Sequence, residues 1–385
     1  MGTLRIDAVN NDLSKEYTAP PGRDPSIDVL KGVAILAVVY AHTAPFCRNF
    51  LHLFALTVFL VCSGYCFKNK IACWADWRRY MKGKLRTLYL PCAVCNGIYV
   101  LLGGVFLRLG LYTDDPAFLR MTDGWPVPQK LYTLQGIGDI LKKFLRVILM
   151  TDTTQMGTAT WFLIMLFAIS AFHGAVCVLT AKRDRRTKQA VLAGLFLLMA
   201  ALAQFAKLPY GAWMYPRCFF YSYLAYLVGI GIRELDWKFL ESPLCALAAV
   251  AVLLLLSRRY FVDLANAEID GVLPYLAGVL SGWCMMKSLA DLIIRRELPT
   301  RVFSYLGRHT IPIICLHVLC FKPVTWLFLQ VRRLPAIYLA SFHVDFDAPE
   351  PWKFLYFAAG AVLSLVLDAC WRCLRKRLNR EKSLV

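Results

Sequence analysis

The chain has 385 residues, of which 58% are hydrophobic and 18% are charged. A soluble domain is typically about 45–50% apolar and about 25% charged, so this composition excludes both an ordinary soluble enzyme and a disordered chain. The formal net charge is +19, from 44 Lys and Arg against 25 Asp and Glu. Such an excess can indicate nucleic-acid binding, but it is also typical of membrane proteins, whose basic residues gather in cytoplasmic loops. The apolar composition favours the membrane interpretation, with no nucleic-acid partner.

Residues 1–26 are polar and charged and lack the apolar core of a signal peptide, which predicts a flexible cytoplasmic tail. About ten apolar segments of near membrane-spanning length follow, and they predict an all-α polytopic membrane protein. Pro312 and Pro323 are expected to interrupt the ninth segment. A membrane domain over 27–372 and a basic cytoplasmic tail over 373–385 complete the predicted organisation. The segments lie at 28–46, 50–67, 87–107, 158–180, 189–207, 214–232, 240–257, 272–294, 309–330 and 352–371.

The distribution of Lys and Arg predicts the orientation in the membrane. When the N-terminus is placed in the cytoplasm and the segments alternate, roughly twice as many basic residues fall inside as outside. An even number of helices with both termini in the cytoplasm fits this bias, and we expect a multi-pass protein of the plasma (inner) membrane. The longest external loop, 108–157, contains Asp123 and Trp125. Its part Ile137–Thr151 is predicted to form an amphipathic or re-entrant helix.

Cysteine usage argues against both a disulfide framework and a metal site. Most of the 14 cysteines lie in apolar runs, where Cys behaves as a small hydrophobic residue. Cys92 and Cys95 form a C-x-x-C pair, as do Cys370 and Cys373, but no second pair or His follows at a zinc-site spacing. We therefore predict no metal. His52 and His173 have no partner visible in the sequence and are expected to be structural.

The first apolar segment carries three ionisable residues, Asp28, Lys31 and His42. Such residues are costly in a membrane helix and usually face the protein interior or a water-filled cavity. At about 100° per residue, the eleven steps from Lys31 to His42 return to within about 20°, so the two share a face. Asp28 lies about 21 Å of helix rise from His42, which excludes a triad of the three. An i,i+3 pair of Asp28 with a snorkelling Lys31 remains an alternative to a functional role.

An imidazole in a span titrates near neutral pH, as a general base should. Gly32 lets another helix or a ligand approach closely.

In this first segment the sequence resembles acyltransferase family 3, whose opening motif is a basic residue, ten residues and then His. Lys31 stands where many members have Arg. The resemblance extends over about 28–371. It rests on Asp28-x-x-Lys31-Gly32 with His42, on Ser63-Gly64-Tyr65 closing a Phe-rich helix, on Lys84-Leu-Arg86 before Pro91, on Trp161-Phe162-Leu163, and on Tyr305 to His317.

The resemblance implies a membrane O-acyltransferase that moves an acyl group, expected to be acetyl, from cytoplasmic acyl-CoA to a hydroxyl of a surface glycan. Acetyl-CoA is then the donor, and its phosphates need cations at the cytoplasmic mouth. The acceptor is a carbohydrate or a lipid-linked glycan, membrane lipid surrounds the domain, and the oligomeric state is left open. The candidate site residues are catalytic His42, His317 and Asp28; donor-binding Lys31, Lys84, Arg86 and His309; and acceptor-binding Trp161, Ser63 and Tyr65.

Several alternatives stay open at this stage. His42 is expected to be the general base, but a covalent acyl-histidine intermediate is also chemically feasible. His317 could stabilise the oxyanion, bind the acceptor, or be a buried histidine bonded to a backbone carbonyl. A multi-pass transporter using His42 and Lys31 as a relay is the main rival function, and a non-catalytic sensor is a second.

Overall fold

The computed structural model describes residues 24–68, 70–121, 131–134, 136–205, 216–341 and 348–382. The protein is 78% helical with almost no sheet, which confirms the all-α prediction. Most of the predicted N-terminal tail and the loop residues Asp123 and Trp125 lie outside the described residues. The α-helices are α1 Pro25–Ala41, α2 Arg48–His52, α3 Thr57–Tyr65, α4 Trp74–Lys84, α5 Leu90–Leu101, α6 Gly103–Arg108, α7 Ala117–Met121, α8 Ile137–Ile148, α9 Trp161–Thr180, α10 Arg185–Phe205, α11 Pro216–Glu234, α12 Pro243–Arg259, α13 Val272–Ile293, α14 Glu297–Arg308, α15 Thr310–Arg332 and α16 Glu350–Lys382.

Shorter elements complete the described chain. A π-helical turn, Leu85–Tyr89, joins α4 to α5, and the 3-10 turn Thr158–Thr160 precedes α9. Two further 3-10 turns lie at Lys238–Glu241 and Ala336–Ala340. Strands β1 (Val262–Asp263) and β2 (Glu268–Ile269) pair antiparallel as a hairpin between α12 and α13.

Six helical stretches in the described chain are long and apolar enough to cross a membrane, so the protein is an integral membrane protein. They match six of the predicted segments. Helices also occupy the other four, at 28–46, 87–107, 214–232 and 240–257, but whether these cross, and on which side the termini lie, stays a prediction. The six stretches are Arg48–Tyr65, Thr158–Thr180, Arg185–Phe205, Val272–Ile293, Thr310–Arg332 and Glu350–Arg377.

Helix α1 lies in the centre of the helical bundle. Asp24 caps its first turn, because the carboxylate accepts the Ser26 N–H at 2.8 Å, and Pro25 suits the first helical position. Leu30 and Ile35 are completely buried along it. A central helix buried on nearly every side explains why its hydrophobic residues show no single apolar stripe.

Helix α14 crosses α1 at two glycines. A Cβ atom at Gly32 would collide with the backbone of Phe303, and one at Gly307 would collide with the backbone of Asp28. Gly32 therefore serves the close approach of a helix, one of the two alternatives expected from the sequence. No separate helix is predicted at 297–308, because this amphipathic element is too short and too polar to be recognised as a membrane span.

Helix α15 is continuous from Thr310 to Arg332, so the expected interruption of the ninth segment is wrong. Pro312 falls in the first turn, where the missing N–H has no intrahelical partner to lose. Pro323 lies inside the helix, which continues past it. The expected helix within Ile137–Thr151 is present as α8, with polar and apolar sides.

Candidate active site

A cavity of about 1260 Å³ is lined by residues of α1, α2, α3, α5, α8, α15, the start of α9 and the β-hairpin. Its walls divide by chemistry into an apolar part and a polar part. The apolar part is formed by Ile35, Val38, Ala55, Leu56, Phe59, Phe162 and Ile314. The polar part is formed by Arg48, His52, Asp139, Lys142, Lys143, Arg146, Asp152, Thr154, Gln155, Asp263, Asn266 and Glu268.

His42 lines this cavity at the end of α1. The helix stops at Ala41 because Ala44 adopts a left-handed backbone conformation, with φ 52°, and Pro45 follows. A left-handed alanine costs on the order of 1 kcal/mol, and such strain is often found at functional sites. The turn ends the helix directly after the imidazole and leads the chain into α2.

His317 is completely buried behind His42. The centroids of the two rings are 5.1 Å apart, at an interplanar angle of 41°. The Nδ1 atom of His317 lies 2.8 Å from the Ile313 carbonyl oxygen. Because a carbonyl oxygen only accepts, Nδ1 carries the proton and Nε2 carries a lone pair. That buried Nε2 has no hydrogen-bond partner among the described residues, which is rare enough to need an explanation.

Trp161 lines the cavity at the first residue of α9, and a buried asparagine fixes the segment that leads to it. Asn96 of α5 donates to Thr160 Oγ1 at 2.7 Å. Its Oδ1 accepts from the backbone N–H of Thr154 at 2.7 Å and from the Thr154 hydroxyl at 2.8 Å. Asn96 was not predicted as a site residue from the sequence. The one feature that could have indicated it is an amide side chain in an otherwise apolar run.

The expected donor-binding residues lie away from the cavity walls. Burial, and to a lesser degree the positive charge of Lys31, lower the pKa of Lys84, which lies outside the candidate spans. Lys31 and Lys84 are therefore close enough to interact electrostatically, at the end of α1 opposite His42. Arg86 is exposed on the π-helical turn. His309 stacks on Tyr305, with ring centroids 4.1 Å apart, and its Nδ1 lies 2.8 Å from the Tyr305 carbonyl oxygen.

Asp28, Ser63 and Tyr65 also lie outside the cavity lining. Asp28 is 2% exposed beneath Gly307. The Ser63 hydroxyl donates to the Phe59 carbonyl oxygen at 2.8 Å, and the Tyr65 ring lies 5.1 Å from that of Trp283. The intervening Gly64 packs directly on the backbone of α11. The Ser-Gly-Tyr element thus has an observed packing role at Gly64.

One histidine expected to be structural lies on the cavity wall. His52 Nδ1 is 3.1 Å from the Val262 carbonyl oxygen, and the Arg48 Nε–H donates to His52 Nε2 at 3.4 Å. Arg48 and Asp263 line the same wall. No sequence pattern predicts this position for His52, because its hairpin partner is remote along the chain. His173, by contrast, lies outside the cavity, with Nδ1 3.0 Å from the Tyr223 hydroxyl.

Within the described ranges, no three His, Cys, Asp or Glu side chains cluster as metal ligands would. The family described as acyltransferase domain matches residues 24–370, nearly the whole chain. No curated protein and no solved structure matches the chain. The family match confirms the resemblance drawn from the motifs.

Proposed function

The chain belongs to the acyltransferase-domain family, and from that premise we propose that it is an O-acyltransferase that transfers an acetyl group from acetyl-CoA to a carbohydrate hydroxyl. The observation that carries this proposal is the position of His42, on the wall of a large cavity with a second imidazole directly behind it. Apolar and polar walls within one cavity suit a thioester and a hydroxyl-rich acceptor, respectively.

His42 acts as the general base. Its imidazole takes the proton of the acceptor hydroxyl as the oxygen attacks the thioester carbonyl carbon. The carbon–sulfur bond then breaks, the ester forms, and the CoA thiolate recovers the proton from His42. A positioned base contributes about 10²–10⁴-fold to such a step. A covalent acyl-histidine remains the alternative route, and it differs by a detectable intermediate.

His317 acts through His42 as a positioning residue. Its Nε2 lone pair is suited to accept an N–H from the His42 ring, which would fix the orientation of that ring. In this protonation state Nε2 carries no proton, so His317 does not donate a hydrogen bond to an oxyanion. We expect His317→Leu to lower kcat with little change in either KM, and His317→Gln, whose amide oxygen can accept, to recover part of kcat. A rise in KM without a loss of kcat would contradict this role.

The donor enters from the Lys31 end of α1, which we propose faces the cytoplasm in a ten-span topology with both termini inside. Lys31 and Lys84 would hold the CoA phosphates. The rise from Lys31 to His42 is about 16 Å, a distance that an extended pantetheine arm has to cover. Ile35 lies one helical turn beyond Lys31 and already lines the cavity, so the cavity reaches most of the way to the donor side.

The direct test uses the purified protein in nanodiscs with acetyl-CoA and a panel of glycan acceptors. We expect wild-type protein to release CoA thiol only when an acceptor is present and to add an acetyl mass to that acceptor. His173→Asn is the matched control, because His173 is a span histidine outside the cavity. If no acceptor raises thiol release while a solute crosses the bilayer, the transporter alternative replaces this proposal.

A further inference from the structure

Helix α8 has three distinct sides, and the first faces away from the protein. Leu141, Leu145 and Ile148 are 63%, 56% and 39% exposed. Their spacing of four and three residues places them on one side of the helix. Exposed leucines in a row are unfavourable in water and favourable against lipid. This side of α8 is therefore suited to contact the acyl region of a bilayer.

The second side attaches α8 to α5. The Phe144 ring lies 3.2 Å from where a Cβ of Gly97 would be, and Val147 is 1% exposed. These contacts fix the rotation of α8 about its axis. Its remaining side, which carries Asp139, Lys142, Lys143 and Arg146, consequently lines the cavity.

The charges on the cavity side are not equally compensated. Lys143 Nζ donates to the Asp152 carboxylate at 2.6 Å and to the Thr153 carbonyl oxygen at 2.7 Å. Asp263, across the cavity, already accepts three hydrogen bonds from Ala265 and Asn266 of its own turn. The other oxygen of Asp152 accepts the backbone N–H of Thr153 at 2.8 Å. Both oxygens of Asp152 and of Asp263 therefore already accept hydrogen bonds from neighbouring groups.

Lys142 and Arg146 differ from Lys143, since neither forms an ion pair with another described residue. Both are exposed and line the cavity. Like charges four residues apart destabilise a helix by a few tenths of a kcal/mol. About 6 Å of helix rise separates the two positions, a spacing that one phosphate or diphosphate can bridge. An anion bound between them would convert the repulsion into attraction.

We propose that Lys142 and Arg146 bind the phosphate of a lipid-linked acceptor. The lipid chain lies along the exposed leucines of α8, the phosphate lies at the two cations, and the attached glycan extends through the polar part of the cavity toward His42. The inference rests on the proposed function for the identity of the glycan. It selects a lipid-linked acceptor over a free anionic one because the apolar side and the cationic side belong to the same helix.

The first experiment measures binding and does not depend on catalysis. Geranylgeranyl phosphate, geranylgeraniol and inorganic phosphate are compared as probes of the full-length protein in zwitterionic nanodiscs. We expect saturable binding of the prenyl phosphate alone, weakened at least about tenfold by Lys142→Ala with Arg146→Ala and unchanged by the control Arg259→Ala. Arg259 is an exposed basic residue at the end of α12 that does not line the cavity.

Each other outcome overturns the proposal in a distinguishable way. Equal binding of the prenyl alcohol would show that the cations have no part. Binding of inorganic phosphate with similar affinity would indicate a free anionic acceptor. Full competition by phosphatidylglycerol would indicate a general lipid-headgroup contact rather than an acceptor site.

The second experiment measures acetyl transfer to one glycan in two forms, free and attached to a prenyl phosphate. We expect the lipid-linked form to have the lower KM, and the double substitution to raise that KM at least about tenfold while leaving the KM of the free glycan nearly unchanged. Identical KM values for the two forms in wild type would contradict the lipid-linked site. Absence of transfer to either form, with prenyl phosphate still bound, would instead contradict the proposed function.

Discussion

The two ends of α1 are built in opposite ways. At the Lys31 end, α14 crosses so closely that Gly32 and Gly307 leave no space for a side chain, and Asp28 is buried beneath the crossing. At the His42 end, a left-handed residue, Ala44, follows the end of the helix, and a cavity lies beside the imidazole. One end of the helix is thus fixed by backbone contact, while the other leaves room for a substrate. A packed end of this kind aligns the helix, so that the open end can position a reactive group.

The largest expected effect concerns the open end. His42→Ala should lower kcat at least about 10²-fold with both KM values changed much less, because a base acts mainly in the transition state. Steady-state kinetics of acetyl transfer in nanodiscs, with size-exclusion elution as a check on folding, would measure it. A folded His42→Ala protein with near-normal turnover would contradict the assignment of His42 as the general base.

The packed end should respond in stability. Gly32→Ala introduces a Cβ into the Phe303 backbone, so α14 must shift, and overpacking of this kind typically costs about 1–3 kcal/mol. Gly83→Ala is the matched control, because nothing lies within 4 Å of that position and alanine favours a helix. Thermal unfolding of the wild type and both variants in one detergent should show a lower midpoint for Gly32→Ala alone. An unchanged midpoint would mean that the crossing is not tight.

A smaller effect is expected for donor binding at the same end. Lys31→Ala should raise the KM for acetyl-CoA about tenfold, since a hydrogen bond to a charged group contributes about 1.5–3 kcal/mol, and should leave the acceptor KM nearly unchanged. Lys31→Arg keeps the charge and should recover most of the affinity. Equal changes in both KM values would favour a structural Asp28–Lys31 pair.

The smallest effect is expected at Trp161. If its ring stacks on a sugar, Trp161→Ala should raise the acceptor KM by several-fold and leave the donor KM unchanged, while Trp161→Phe should retain most of the contact. Kinetics with a fixed, saturating acetyl-CoA concentration would measure this. An unchanged acceptor KM in Trp161→Ala would assign the ring to packing alone.

Local features of the molecule could be predicted from the sequence. Apolar length predicted the helices. The amphipathic stretch after residue 137 predicted α8. These features depend on neighbours within a few turns of the chain, which is the range over which periodicity is informative.

What the sequence did not contain was the set of long-range contacts. Nothing in the pattern around His317 predicts that its ring would lie 5.1 Å from that of His42. His52 bonds to the hairpin at Val262, and Asn96 bonds to Thr154 and Thr160. Each of these pairs depends on how helices cross, which apolar composition alone does not determine. The cavity itself is a product of those crossings.

The most direct test of the central claim is a cryo-electron microscopy structure of the protein with a non-hydrolysable acetyl-CoA analogue. The account predicts that the nucleotide lies at Lys31 and Lys84, and that the acetyl carbonyl reaches the apolar part of the cavity, with an acceptor-sized space between it and the His42 ring. An analogue bound with its acetyl group outside this cavity, or separated from His42 by packed side chains, would contradict it.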